Sequence, residues 1–141
     1  MNNKTAFHIA FPIRDLRSTK EFYVDLLGCS IGRKSSNWMD FDFFGHQLTV
    51  QVNPEAVSIF PFYRSEKNAL PFYHFGVVLS WNDWHKMEVK LKESKMTFLI
   101  EPKVVFKGEV GEQKTMFIED PNGYAIEFKA FEQDDCLFKT V

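Results

Sequence analysis

Apolar and polar positions follow one another in the same order twice along the chain. Residues 5–12 carry Phe7, Ile9 and Phe11 at alternate places, which predicts a strand, with Pro12 helping to end it because proline has no N–H to give a sheet. A helix is expected next. Ser18 followed three residues later by Glu21 is a capping-box pattern, and Phe22 with Leu26, and Tyr23 with Leu27, make i,i+4 apolar pairs. Gly28 is the expected stop, since glycine takes the left-handed conformation at no steric cost. Residues 29–34, 38–44 and 47–53 then predict three short strands, broken at Ser35-Ser36-Asn37 and at Gly45-His46.

The second half repeats this grammar. An apolar run from Phe72 to Leu79 is followed by Ser80 with Asp83, a second capping box, and by a helix in which Trp84, Met87 and Leu91 keep i, i+3, i+7 spacing. Strands are expected at 96–101, 113–119 and 123–131, with Pro121-Asn122-Gly123 turning between the last two. His8 lies 20 residues before Gly28 and His74 lies 21 before Lys95, where the second helix should end. This near-equality predicts two β-α-β-β-β modules, about 5–53 and 72–131, within a single domain over 1–141. Residues 54–71 hold several prolines and no clear period, so they read as a connector, with room for a pocket lid.

Composition narrows the class of partner. With 141 residues, 45% of them hydrophobic, the chain can bury a core without disulfides. Seventeen Lys plus Arg against nineteen Asp plus Glu, with no basic run, lack the footprint of a nucleic-acid binder, so a small molecule is the expected partner. No apolar run approaches the roughly 20 residues that span a bilayer, which argues against a membrane protein. Cys29 and Cys136 lie in unlike surroundings and no apolar leader precedes residue 5, which predicts free thiols in a reducing cytoplasm. Phosphate loops, CxxC pairs and GxSxG elbows do not occur.

The candidate chemistry lies in three residues. On a strand, His74 shares a face with Phe72, Gly76 and Val78, and Glu127 shares one with Ala125 and Lys129, while Ile126 and Phe128 point the other way. A mid-strand carboxylate needs water, a cation or a metal to offset its desolvation. Taken singly, Glu127 reads as solvent-facing and each histidine as a satisfied core or edge residue. The matched places of His8 and His74 favour reading the trio together. Two imidazoles and a carboxylate leave about half of an octahedral shell open, the arrangement of non-haem Fe(II), with Zn(II), Mn(II) and Ni(II) as alternatives. Each histidine would bind as neutral imidazole, its second nitrogen oriented by an acceptor the sequence does not name.

FHIAFPIRDLRSTKEFYVDLLG, YHFGVVL and DPNGYAIEF together resemble the vicinal oxygen chelate superfamily of glyoxalases, bleomycin- and fosfomycin-resistance proteins and extradiol dioxygenases. The resemblance covers residues 5–131, and DPNGYAIEF is its most specific part. It implies an α+β fold in which two tandem β-α-β-β-β modules form a curved, incompletely closed mixed sheet with helices outside, around a divalent metal. It maps His8, His74 and Glu127 onto three of four ligand positions. The fourth falls in HQLTVQV, at Thr49 or, further along the same face, Gln51, and neither is the Glu that a glyoxalase I would present.

That departure moves the expectation toward an extradiol-type dioxygenase taking a small substrate through vicinal oxygens, with Gln47, Thr49, Gln51 and Lys129 lining the pocket. Such an enzyme needs an acid/base, for which His46 and Tyr73 are the available residues; Tyr73 points away from the face of His74. His85 reads as a helix-surface residue. Lys107 to Glu112 reads as a hairpin loop, and Trp38, Phe41, Phe43 and Phe44 as core packing. A lyase, isomerase or thiol transferase on the same metal, and a metal-free drug-binding protein, remain the alternatives. A homodimer is also consistent with the resemblance.

Overall fold

The computed structural model describes residues 4–57, 62–64, 69–71 and 73–140. Their contacts divide the chain into two compact units, residues 1–59 and 60–141.

In the first unit, strands β1 (His8–Ile13), β2 (Ser30–Lys34), β3 (Trp38–Phe43) and β4 (His46–Val52) form a four-stranded sheet in the order β1-β4-β3-β2, with β1 parallel to β4 and the other pairs antiparallel. Pro12 lies inside β1 rather than ending it. Among the described residues β1 pairs only with β4, as an edge strand, so the missing N–H breaks no ladder there. The turn between β3 and β4 is Phe44-Gly45, and His46 already belongs to β4, one residue earlier than expected.

Helix α1 spans Leu16–Lys20 and continues as a wider coil over Glu21–Leu26. Its cap is Asp15, not Ser18. The Asp15 carboxylate accepts from the Ser18 amide at 2.7 Å and from the Ser18 hydroxyl at 2.8 Å, so Ser18 is a donor in the first turn. Glu21 turns instead to Arg17, at 3.2 Å on the surface. Gly28 closes the helix at φ 81° as expected. The inner face of that continuation sets Tyr23 against Phe41, rings stacked at 5.3 Å, and against Phe43 at 6.3 Å. Phe41 and Phe43 are therefore core, together with Met39, Leu48, Val50 and Ile13. Alternation then places His8, Asp40, Gln47, Thr49 and Gln51 on the opposite, polar face.

The second unit has the same topology. Strands β7 (His74–Val78), β8 (Ile100–Val105), β9 (Gln113–Glu119) and β10 (Ala125–Phe131) take the order β7-β10-β9-β8, with β7 parallel to β10. Strand β8 starts four residues later than the expected 96–101. The short hairpin from Phe106 to Glu112 sets which residues can pair with β9, and Pro102 is tolerated because β8 is an edge with a register shift between Ile100 and Lys103. The expected connector also contains structure: β5 (Phe62–Arg64) and β6 (Ala69–Pro71) pair antiparallel. The lid expectation rests partly on residues 58–61 and 65–68, and the face-sharing of Phe72 with His74 on residue 72; these lie outside the described residues.

Helix α2 (Trp81–Glu93) starts at Ser80, whose hydroxyl accepts from the Asp83 amide at 3.1 Å. It buries Trp84, Met87 and Leu91 against the apolar face of Met116, Ile118, Ile126 and Phe128, and Trp84 Nε1 donates to the Phe128 carbonyl at 2.8 Å. Lys114 is the polar exception on that face. Its ammonium lies 4.4 Å from the Trp81 ring and 2.9 Å from His85 Nε2, so His85, expected to be a surface residue, ties α2 to β9. No helix among the described residues is long and apolar enough to cross a membrane.

Candidate functional site

The polar face of the second sheet carries His74, Glu127 and Lys129. Glu127 is directly opposite Gly76 on β7 and Phe117 on β9, and only 8% of it is exposed. Its start is fixed by the DPNG turn, where the buried Asp120 accepts from the amides of Asn122 at 2.9 Å and Tyr124 at 2.8 Å. That network holds residues 120–124 as a turn, so β10 begins at Ala125 rather than at 123.

The two carboxylate oxygens of Glu127 have different surroundings. Oε2 accepts from the Thr115 hydroxyl at 2.5 Å, while Oε1 faces His74 Nε2 at 3.4 Å and Lys129 Nζ at 3.6 Å. His74 Nδ1 lies 3.1 Å from the Pro71 carbonyl, and the ring stands edge-on to Phe117 with centroids 5.0 Å apart. A carbonyl can only accept, so Nδ1 carries the proton and, in the neutral ring, Nε2 presents a lone pair. Pro71 is thus the orienting acceptor that the sequence did not name. An Nε2 lone pair facing a carboxylate oxygen calls for a cation between or beside them. Two donors each about 2.1 Å from one ion lie about 3.4 Å apart when about 110° separates them, as in a tetrahedral shell, and about 3.0 Å apart at the 90° of an octahedral one, so the pair has tetrahedral spacing and would close by about 0.4 Å to serve an octahedral ion. His74, Glu127 and Lys129 line a cavity of ≈ 240 Å³ with the β7 backbone.

The polar face of the first sheet is built differently. His8 opens β1 next to Gln47 on β4, and Thr49 on β4 stands opposite Asp40 on β3. Asp40 is 5% exposed and accepts from the Thr49 hydroxyl at 2.7 Å and from Gln47 Nε2 at 3.2 Å, with Arg33 Nε at 3.4 Å. Gln51 is exposed. By strand order Thr49 is the counterpart of Glu127 and Asp40 that of Phe117, so each sheet buries one carboxylate, on different strands.

Asp40 and Thr115 were not among the residues singled out from the sequence. The signal for Asp40 was the one used for Glu127: a mid-strand carboxylate between apolar Met39 and Phe41. His46 Nδ1 accepts from the Phe7 amide at 2.9 Å, which pins the chain just before His8. Among the described residues, no group of three or more His, Cys, Asp or Glu side chains is gathered at one place; His74 and Glu127 come together as a pair.

Comparison with known proteins agrees with this architecture. The family model described as Glyoxalase/Bleomycin resistance protein/Dioxygenase superfamily matches residues 5–128. A glyoxalase/bleomycin resistance protein/dioxygenase from Alicyclobacillus acidocaldarius is 28% identical, covers 98% of this chain and 100% of its own, and superposes with a TM-score of 0.78. The fosfomycin resistance protein FosX from Listeria monocytogenes shares the fold at 13% identity and TM-score 0.69, over 95% of this chain and 98% of its own. Lactoylglutathione lyase from Agrobacterium tumefaciens does so at 12% identity and TM-score 0.62, over 94% and 97%. No curated protein matches the chain. The chain belongs to the glyoxalase/bleomycin resistance protein/dioxygenase superfamily, that of the vicinal oxygen chelate fold.

Proposed function

We propose that the protein is a metal-dependent enzyme in which His8, His74 and Glu127 hold a divalent ion, Fe(II) in preference to Zn(II), Mn(II) or Ni(II), and a small substrate binds through vicinal oxygens. The observation that carries this reading is the His74–Glu127 pair, with Nε2 and Oε1 3.4 Å apart and Nδ1 held by the Pro71 carbonyl. It requires His8 of the first unit to join the pair, within one chain or between two copies in a homodimer. When bound, the ion would polarise substrate oxygens and stabilise negative charge developing on them.

The chain's own residues then divide the work. Pro71 fixes the tautomer of His74, and Thr115 holds one oxygen of Glu127 so that the other faces the cavity. Lys129 brings a positive charge beside that oxygen, and Gln47, Thr49 and Gln51 are the substrate-facing candidates of the first module. His46 is the candidate acid/base, although its Nδ1 already accepts from the Phe7 amide. Thr49 at the place of Glu127 favours dioxygenase-like chemistry over that of a glyoxalase.

Anaerobic reconstitution with Fe(II) should give close to one ion per chain, and His74→Ala should abolish it. Equal metal binding by that variant would sink the assignment. Oxygen uptake with substrate separates a dioxygenase from a lyase, isomerase or thiol transferase on the same ion. One contact favours a second reading, a metal-free small-molecule binder: Lys129 Nζ at 3.6 Å already gives Glu127 a counter-charge. Ligand uptake unchanged by chelation would select it.

A further inference from the structure

Among the described residues, Glu127 has one lysine or arginine in reach, Lys129, whose Nζ lies 3.6 Å from Oε1. Alternate positions on β10 put the two side chains on one face, and the register sets Lys129 beside Val78 on β7 and Thr115 on β9. At 3.6 Å the contact is ionic rather than a hydrogen bond, and Lys129 has no other charged or hydrogen-bonding side-chain partner among the described residues. Its side chain is 37% exposed against 11% for that of Glu127. A loosely held ammonium thus stands over a carboxylate that Thr115 holds firmly by its other oxygen.

As it stands, the pair is balanced. His74 Nε2 turns a lone pair, not a proton, toward Oε1, so the charge offsetting this buried carboxylate is that of Lys129. Glu119 on β9 and Lys103 on β8 also lie on this face, both exposed, where water and salt screen them. With a divalent ion held by His74 and Glu127, the ammonium becomes redundant, and two cations share one partly buried place, where like charges repel strongly. The flexible stem of lysine lets the ammonium swing away while β10 stays in place, and the cavity of ≈ 240 Å³ lies beside it. The site then carries more positive charge than Glu127 alone can balance. An ionised oxygen on the substrate supplies what is missing.

We infer that Lys129 is a resident counter-cation and a specificity-determining residue: it neutralises Glu127 until the ion arrives and then pairs with an ionised oxygen of the substrate. The site therefore takes small anions whose vicinal oxygens include a carboxylate, the α-hydroxy and α-keto acids, in preference to neutral diols. The inference rests on the proposed function for the ion and adds to it the substrate class.

The test uses the full chain, stripped with chelator, and reads binding rather than turnover. Anaerobic titration with Fe(II) against a chromogenic chelator should find Lys129→Met about tenfold tighter than the parent, because the ion no longer displaces a resident charge. Lys129→Arg keeps the charge and should stay within about threefold of the parent, as should Lys103→Met, which removes a like charge two strands or about 10 Å away. Glycolate and ethylene glycol present two vicinal oxygens with and without a negative charge, and are titrated calorimetrically into Fe(II)-loaded protein. The preference for glycolate should fall about tenfold in Lys129→Met and persist in Lys129→Arg.

Equal Fe(II) affinity of the parent and Lys129→Met, with His74→Ala abolishing it, overturns the inference and leaves the metal reading in place. A glycolate preference that Lys129→Met retains in full does the same. Fe(II) uptake by Lys129→Met but not by the parent supports the resident cation while removing the metal reading for the unaltered chain, and uptake by neither overturns both. If Lys129→Met does not fold, Lys129→Gln decides by the same two measurements.

Discussion

Thr115 donates its hydroxyl to Oε2 of Glu127 at 2.5 Å, which leaves Oε1 alone to meet His74 and Lys129. Both residues are buried, so this hydrogen bond compensates a carboxylate largely removed from water. Thr115→Val keeps the shape and removes the donor. Supporting hydrogen bonds to a metal ligand are worth about 10–100-fold in affinity, so the variant should bind Fe(II) at least about tenfold more weakly. Stability should also fall, by about 1–3 kcal/mol, because a buried acceptor loses its partner. Isothermal titration and thermal melting read the two effects; unaltered metal affinity in folded protein would show that Thr115 does not support a ligand.

Gly76 faces Glu127 across the parallel β7–β10 pair, and a Cβ on it would come within 1.7 Å of the Glu127 carbonyl oxygen. Backbone at that distance cannot be avoided by a rotamer change, so β7 must move away from β10. Overpacking of this kind costs about 3 kcal/mol. Gly76→Ala should therefore melt several degrees lower and, because His74 rides on β7, lose metal binding in whatever fraction remains folded. A melt within 1 °C of the parent would contradict the close approach.

The ends of the two helices match in place but not in residue. Gly28 follows α1 at φ 81°, and Lys95 occupies the same left-handed place after α2 at φ 58°. A left-handed conformation costs a residue with a Cβ roughly 1 kcal/mol, a strain that glycine avoids. Lys95→Gly should stabilise the protein by about 0.5–1 kcal/mol in denaturant titration, and no gain would mean that the strain is relieved elsewhere.

The repeat was legible because strand alternation and helix spacing are local, and each module states them in its own residues. Element ends were less so. Ser18 looked like a cap because the pattern S-x-x-E is common, yet Asp15 three residues earlier is as good an acceptor and has Ser18 itself as a donor. Strand β8 was placed at 96–101, ending just before Pro102, and only sheet order shows that this proline lies on an edge where a strand tolerates it. At the site, parity put His74, Glu127 and Lys129 on one face. The Pro71 carbonyl and Thr115 could not be found that way: one acts through its backbone and the other reaches diagonally across a strand pair. Asp40 was findable by parity and was hidden by its aromatic neighbours, which drew the segment toward a core reading.

Asp15 makes the start of α1 sensitive to pH. The Ser18 amide, then its hydroxyl, hold the carboxyl below its ordinary value of 3.8. A depressed carboxyl contributes stability that is fully present above the unfolded value and is lost as pH falls through the lower folded one. Asp15→Ala should cost about 1 kcal/mol near neutral pH, whereas Asp15→Asn, which caps without a charge, should cost only a few tenths. The gap between the parent and Asp15→Ala should hold as pH is lowered to about 4 and narrow below it, because the protonated parent accepts the Ser18 hydrogen bonds less well. Urea titrations at several pH values from about 2.5 to 7 read this directly. A gap that stays constant across the series would mean that the Ser18 contacts stabilise the helix without regard to the charge on Asp15.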